Sequence, residues 1–183
     1  YEAPEKWSDP KPLLTENSLD GWIPQQIGKD NQWFVREGIL TNPASGVNLM
    51  TGEKFMDFRL HIEFRYPEHS NSGIYLRGRY EVQVIDSYGK KPSSIYLGGV
   101  YGFLTPSENV ARKPGEWQSY DITLVGRRVT VVANGKTIIH NQIIPGITGG
   151  ALDSREELPG PILLQGDHGP VEFRNITIAT PAN

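Results

Sequence analysis

Apolar and polar residues alternate with a period of two along most of this chain, which is the spacing of a half-buried strand. The clearest case is "MDFRLHIEFRY". Phe58, Leu60, Ile62, Phe64 and Tyr66 fall on one face, and Arg59, His61, Glu63 and Arg65 on the other. The stretch "HSNSGIYLRGRYEVQVID" reads as two strands with a tight connection: Ile74, Leu76, Val82 and Val84 alternate with Tyr75, Arg77, Glu81 and Gln83. "NQWFVREGILTN" predicts a hairpin turning at Glu37-Gly38, and "SYDITLVGRRVTVVANGKTIIH" a pair of connections at Gly126-Arg127 and Asn134-Gly135. Asn-Gly between β-branched runs is a strong hairpin signal because both residues tolerate positive φ. "GPILLQ" and "VEFRNITIA" supply the last strands. No segment carries a long helical period, and a helical turn is expected only near Ser154–Leu158. Many short strands punctuated by Gly, Pro and Asn predict an all-β fold, a jelly-roll-like β-sandwich of two antiparallel sheets.

The 183 residues suit one sandwich domain over 1–183, with 1–12 and 180–183 as tails. Two connections are long, Ser87–Glu116 and Asn141–Pro159. Loops of that length are usually functional or disordered, and both are expected to fold over one face or rim. The net charge of −3 is spread in both signs, without the basic stripe that nucleic-acid binding requires. No apolar run reaches the ~18–20 residues of a bilayer span, and no signal-peptide core is present. The chain starts at Tyr1 rather than Met, as a processed secreted or periplasmic protein would, lipid-anchored in its precursor or not. The absence of cysteine excludes disulfides and thiol chemistry without deciding the compartment.

Chemistry gathers on the polar faces of three successive strands. His61, Glu63 and Arg65 come from the first, Tyr75 and Arg77 from the second, and Glu81 and Gln83 from the third. Same-face neighbours are ~6.5–7 Å apart. If sequential strands pair, as they often do, these side chains form one patch. Antiparallel sheets often leave one face in water, so a solvated face is the competing reading. Against it, the face holds Arg, Gln and Tyr and no Lys, groups that make directed hydrogen bonds. Gly73 beside Tyr75 also leaves room for something to approach the backbone. A second constellation, Gln165, Asp167 and His168, lies at a turn between two apolar strands, with Glu172 and Arg174 following. A lone loop histidine is ordinarily a surface residue, but this polar density favours a site, where imidazole can act as acid or base. No metal-binding motif appears. Glu63, Glu81, Asp86 and Asp167 could gather around a divalent cation. The sequon Asn175-Ile176-Thr177 falls in an expected strand and is read as chance.

"LDGW" (19–22), "WFVREGIL" (33–40), "DFRLHIEFR" (57–65), "NSGIYLRG" (71–78), "YEVQVID" (80–86), "YG" (101–102), "KPGEWQ" (113–118), "VVANGK" (131–136) and "GPILLQGDHGPVEFRNITI" (160–178) occur in this order. In this the chain resembles the 3-keto-disaccharide hydrolase domain family across residues 11–179. The resemblance implies a concanavalin A-like sandwich in a secreted, periplasmic or lipid-anchored bacterial protein. It also implies action on 3-keto-glycosides, made when an oxidoreductase oxidises the sugar C3 hydroxyl. Two departures are Gln118, where the family often has Asn, and the two-residue spacing between Gln165 and His168.

Concanavalin A-like glucanases commonly carry Glu-x-Asp-x-Glu on one strand. Here the comparable run is Glu81-x-Gln83-x-Ile85, which lacks the last carboxylate and has an amide in the middle. Ordinary glycoside hydrolysis needs two carboxyl groups ~5–5.5 Å or ~6.5–9.5 Å apart, which only Glu63 with Glu81 could supply across strands. A 3-keto sugar needs less. The carbonyl acidifies the C2 proton, a base removes it, the C1 substituent leaves by β-elimination, and water adds to the product. The expected catalytic set is Glu63 or His168 as base, Glu81 as acid or orienting the sugar, and Arg65, Arg77 or a bound cation at the enolate. Tyr75, Arg77, Gln83, Asp86, Gln165, Asp167, Tyr101 and Trp117 are the expected sugar contacts. The expected partner is a small oxidised glycoside. The alternatives are a non-catalytic carbohydrate-binding module, which would show flat aromatics and few titratable groups, and an ordinary glycoside hydrolase on the same fold.

Overall fold

In the computed structural model, which describes residues 2–182, thirteen strands form two antiparallel sheets. In chain order they are β1 (Lys11–Pro12), β2 (Trp22–Pro24), β3 (Phe34–Arg36), β4 (Ile39–Asn42), β5 (Leu49–Thr51), β6 (Phe58–Arg65) and β7 (Asn71–Leu76). They continue as β8 (Tyr80–Ile85), β9 (Gln118–Val125), β10 (Arg128–Ala133), β11 (Lys136–Ile143), β12 (Leu163–Leu164) and β13 (Val171–Ala179). The larger sheet runs β11-β10-β9-β6-β13-β4-β3, with β1 paired to β13. The smaller runs β2-β5-β12-β7-β8.

The jelly-roll sandwich predicted from alternation is the fold observed. Phe58, Leu60, Ile62 and Phe64 of β6 meet Ile74, Leu76, Val82 and Val84 of β7 and β8 in one core, all essentially inaccessible to water. Each such side chain contributes roughly 1.5–3 kcal/mol on burial. Tyr120 of β9 packs on Phe64 with ring centroids 4.7 Å apart. It spans the core to donate its hydroxyl proton to the Gln83 carbonyl of β8, which ties one sheet to the other.

Adjacency is where the sequence expectation fails. β6 and β7 are consecutive, but they do not pair: β6 lies between β9 and β13, while β7 lies between β12 and β8. The chain crosses from one sheet to the other at Tyr66–Ser70. The polar face of β6 therefore looks out from one side of the sandwich and that of β7 and β8 from the other. Residues within both of the expected tails are paired. Lys11 and Pro12 align with Ile178 and Thr177, Trp7 bridges Pro181, and Arg59 stacks over the Trp7 ring at 4.5 Å. A strand edge with free backbone groups recruits a partner where one is near. Tyr1 and Asn183, the ends of those tails, lie outside the described residues. The segment expected to hold a helical turn near Ser154–Leu158 contains only bends and turns.

Candidate active site

The outer face of the smaller sheet carries a cleft of about 320 Å³. Its floor follows from strand register. Tyr75 lies opposite Glu81, Gly73 opposite Gln83, and Asn71 opposite Ile85. Gln165 continues β12 and donates its backbone N–H to the Gly73 carbonyl. Cross-strand partners share a face, so Asn71, Tyr75, Glu81, Gln83 and Gln165 all point into the cleft.

Two loops raise its walls, and both attach to the free edge of β8. Tyr101 donates its backbone N–H to the Glu81 carbonyl, while Gly99 and Gly98 bracket Gln83. On the same edge, Thr148 Oγ1 accepts the Glu81 N–H at 3.0 Å. Gly149 accepts the Tyr75 hydroxyl proton at 2.8 Å. A Cβ on Gly150 would stand 2.5 Å from the Tyr75 hydroxyl oxygen, so only glycine lets this loop approach so closely. Arg79 and Tyr80 anchor the base of the loop on Asp153, Leu158 and Glu156. The two long connections thus fold over one rim, as expected.

Glu81 is the unusual group. It is 4% exposed, and among the described residues its carboxyl pairs with no guanidinium or ammonium. Its pKa is pushed up to about 7. Burial is the dominant cause and neighbouring Asp167 adds to it, against the smaller pull of the Tyr75 hydroxyl and His168. The room beside Gly73 is taken by this carboxyl: a Cβ on Gly73 would stand 2.0 Å from Glu81 Oε2. Tyr75 is itself held far above the usual phenol range by burial and by the Glu81 carboxyl.

Across the cleft stand Asp167 and His168, whose Nδ1 is hydrogen-bonded to the Asp167 carboxylate. That contact orients the ring and, among the described residues, leaves Nε2 without a hydrogen-bond partner. The segment carrying them is pinned from several sides. Asn42 Nδ2 donates to the Gly166 and Gly169 carbonyls, and Ser45 Oγ donates to the Asp167 carbonyl. Asn48 Oδ1 accepts the Gly166 N–H, and Ser72 Oγ bonds the Gln165 carbonyl. A Cβ on Gly166 would sit 2.1 Å from the Val47 carbonyl oxygen. His168 is half exposed, yet it sits on a fixed frame.

The remaining polar groups of the floor are amides. Gln83 donates Nε2 to the Ile95 carbonyl and keeps its Oε1 free. Asn71 Oδ1 is buried with no partner, the only such side-chain atom among the described residues. Buried unpaired acceptors are costly and rare, and this one belongs to a residue that lines the cleft. Asn71 and the Thr148–Gly150 wall were not among the sequence-predicted residues. Asn71 could have been: it stands two residues before Gly73 and four before Tyr75, on the same strand face. Thr148–Gly150 carried no local signal.

The cleft therefore collects Glu81, His168, Tyr75, Gln83, Gln165, Asp167 and Tyr101. Five expected members lie elsewhere. Glu63 and Arg65 stand on β6, on the outer face of the other sheet. Glu63 binds Arg174 at 2.8 Å and His61 at 2.9 Å, and Arg65 binds Glu172 at 2.9 Å. Trp117 lies there too, with Arg65 4.6 Å and Arg174 4.0 Å from its ring centroid. Arg77 is buried at the β7–β8 turn, where a φ of 53° takes it out of the strand's alternation. It bonds the Met56 carbonyl and Asp57. Asp86, beyond β8, accepts the His69 N–H at 2.9 Å. The Glu63–Glu81 pair that ordinary hydrolysis required is split between two sheets. Among the described residues no three His, Asp or Glu side chains are placed to hold a metal ion; of the four carboxylates expected around a cation, only Glu81 and Asp167 share the cleft.

Residues 9–179 match the 3-keto-alpha-glucoside-1,2-lyase-like domain family. The chain belongs to that family. It is 34% identical to a candidate glycosyl hydrolase from Parabacteroides distasonis ATCC 8503, over 93% of this chain and 83% of that one, with a TM-score of 0.77. The carbohydrate-binding module CBM66 from Bacillus subtilis superposes with a TM-score of 0.60 at 12% identity, over 92% of this chain and all of that one. β-Agarase A from Zobellia galactanivorans superposes with a TM-score of 0.59 at 10% identity, over 97% and 94%. The last two are likenesses of fold. No curated protein sequence matches the chain significantly. The family member is a carbohydrate-related jelly roll of the glycoside-hydrolase-like or carbohydrate-binding kind.

Proposed function

We propose that this protein cleaves the glycosidic bond of 3-keto-glycosides by proton abstraction at C2, β-elimination and hydration, with His168 as base and Glu81 as acid. The observation that carries the reading is a buried carboxyl without a cationic partner, its pKa pushed up to about 7, facing a histidine held by an aspartate. Efficient proton transfer wants an acid and a base whose pKa values lie near the working pH. Burial of a carboxyl is one way of providing such an acid.

His168 Nε2 takes the C2 proton, and the electron pair becomes the enolate of the C3 carbonyl. The enolate then expels the C1 substituent, whose oxygen receives the Glu81 proton. The product is a 1,2-unsaturated 3-keto sugar. Water adds to C1 as the Glu81 carboxylate takes one of its protons. The enolate is reprotonated at C2 by the His168 imidazolium, and both groups return to their starting states. The amide N–H groups of Asn71 and Gln165, which line the cleft, stabilise the enolate oxygen in place of Arg65 and Arg77, which lie outside it. Neither amide side chain has another protein partner.

No Lys or Arg lines the cleft. A cleft of amides, phenols, two carboxyl groups and a histidine fits an uncharged sugar better than a phosphate or uronate. Ordinary two-carboxylate hydrolysis is less well served, since Asp167, the second carboxylate, is already bonded to His168. The test is turnover of a 3-keto-glucoside beside its unoxidised parent. The reading predicts cleavage of the keto sugar alone, with an intermediate absorbing in the ultraviolet as a conjugated enone. Equal rates on both substrates would sink the elimination mechanism. Tight binding of an unmodified glycan without turnover of either would favour the binding-module alternative.

A further inference from the structure

The proposed chemistry uses only the polar floor of the cleft, yet the two loops that wall it carry exposed apolar side chains, of which Tyr101 lines the cleft while Phe103 and Ile147 lie beyond its lining. Tyr101, Phe103 and Ile147 expose 42%, 42% and 36% of their surface. Large apolar side chains are ordinarily turned inward, so several on one rim call for an explanation. These three belong together. Tyr101 lines the cleft, and the Phe103 ring lies 4.0 Å from where a Gly146 Cβ would stand, next to Ile147. The two loops that carry them are tied to the same residue, through Tyr101 N–H to the Glu81 carbonyl and Glu81 N–H to Thr148 Oγ1. The apolar rim is therefore fixed to Glu81, on the opposite side of the cleft from the Asp167–His168 segment.

We infer that Tyr101, Phe103 and Ile147 form the aglycone subsite and that it takes an aromatic aglycone in preference to a second sugar. The inference rests on the proposed role of Glu81. The acid that protonates the leaving oxygen has to lie beside the leaving group, so the aglycone extends over the loops attached to Glu81. The sugar ring being deprotonated at C2 lies toward His168 and the free amides. A second sugar would bring hydroxyls that need partners, and Phe103 and Ile147 have none to give. A planar ring loses little conformational entropy and stacks on such a wall.

The test compares phenyl 3-keto-glucoside with the matching 3-keto-disaccharide, as kcat/KM on the wild type and on Phe103→Ala. Binding of phenyl glucoside and methyl glucoside is measured by calorimetry on the same two proteins. The expected result is a preference for the phenyl substrate of at least about tenfold, as for a well-filled apolar pocket. In Phe103→Ala most of that preference is lost, because the phenyl substrate slows by more than the disaccharide. A wild-type preference for the disaccharide, or equal slowing of both substrates by the substitution, overturns the inference. If neither keto sugar is turned over, the proposed reaction fails, and the subsite is judged on binding alone. Phenyl glucoside held about tenfold tighter than methyl glucoside by the wild type and not by the variant upholds it; equal affinities overturn it.

Discussion

The two outer faces of the sandwich are written in the same code and do opposite things with it. On the larger sheet the charges around Glu63 and Arg65 are matched. His61 sits between Asp121 and Glu63 at 2.8 and 2.9 Å, Glu63 also meets Arg174 and Asn175, and Arg65 pairs bidentately with Glu172. On the smaller sheet a carboxyl is buried without a cation, an amide oxygen is buried without a donor, and an imidazole is oriented with one nitrogen free. Alternation produces both faces. What separates them is satisfaction: a lattice of pairs is a surface in equilibrium with water, whereas unpaired buried groups persist only where something else compensates for them.

Three ways of breaking the contrast follow, the strongest first. His168→Ala should slow 3-keto-glucoside cleavage by about 10²–10⁴-fold, the contribution of a positioned base. The same assay on His61→Ala, the histidine of the other face, should read within about twofold of wild type. Gly73→Ala acts more indirectly. Its Cβ would occupy the place of Glu81 Oε2, which can move because it ends a flexible side chain. The fold should survive while kcat falls by roughly tenfold or more, since a 1 Å misplacement at the chemistry is enough. A melting curve beside the rate separates a displaced acid from a damaged sheet.

Stability sharpens the contrast from the other side. The Glu81 carboxyl has its folded pKa raised to about 7 from the ordinary carboxyl value of 4.5. A group raised in this way favours the folded state below its unfolded value, and that contribution is lost as pH rises toward 7. At pH 8, Glu81→Gln should therefore be more stable than wild type, by ~1–3 kcal/mol after allowance for local relaxation. Glu63→Gln should lose about 1 kcal/mol, the scale of a part-buried pair. Chemical denaturation of both variants at pH 8 checks the opposite signs.

The smallest effect concerns His61. Burial alone would lower its pKa, but Glu63 and Asp121 outweigh that and raise it above 6.5. The charged imidazole's stabilisation is complete below about pH 6.5 and lost as pH rises through the raised folded value. His61→Gln should lower the melting temperature more at pH 5.5 than at pH 8.5, by a degree or two, as befits a pair one-third exposed.

Which face held the site was only half legible in the sequence. Periodicity identified the strands, the core face of β6, β7 and β8, and the polar residues opposite. It placed Glu81, Tyr75 and Gln83 on one face because a hairpin preserves register. It could not show that the chain changes sheets between Tyr66 and Asn71, so Glu63 and Arg65 were grouped with residues on the far side of the molecule. Arg77 was misplaced for a different reason: alternation was carried one residue too far, into a turn where φ is positive. The Asp167–His168 segment was picked out by polar density. What fixes it there comes from Asn42, Ser45, Asn48 and Ser72, distant in sequence and unremarked in pattern. Asn175, read only as a chance sequon, occupies a bulge in β13 with φ of 49° and binds Glu63. A one-residue bulge leaves no trace in an alternating run.

The most direct test of the account sets Glu81→Gln against Glu63→Gln in one assay with a 3-keto-glucoside. Glutamine keeps the shape of each side chain and removes its proton chemistry. The account predicts a loss of at least about a hundredfold for Glu81→Gln and a rate within about twofold of wild type for Glu63→Gln. Full activity in Glu81→Gln, with the loss appearing in Glu63→Gln, would place the chemistry on the opposite face and contradict it.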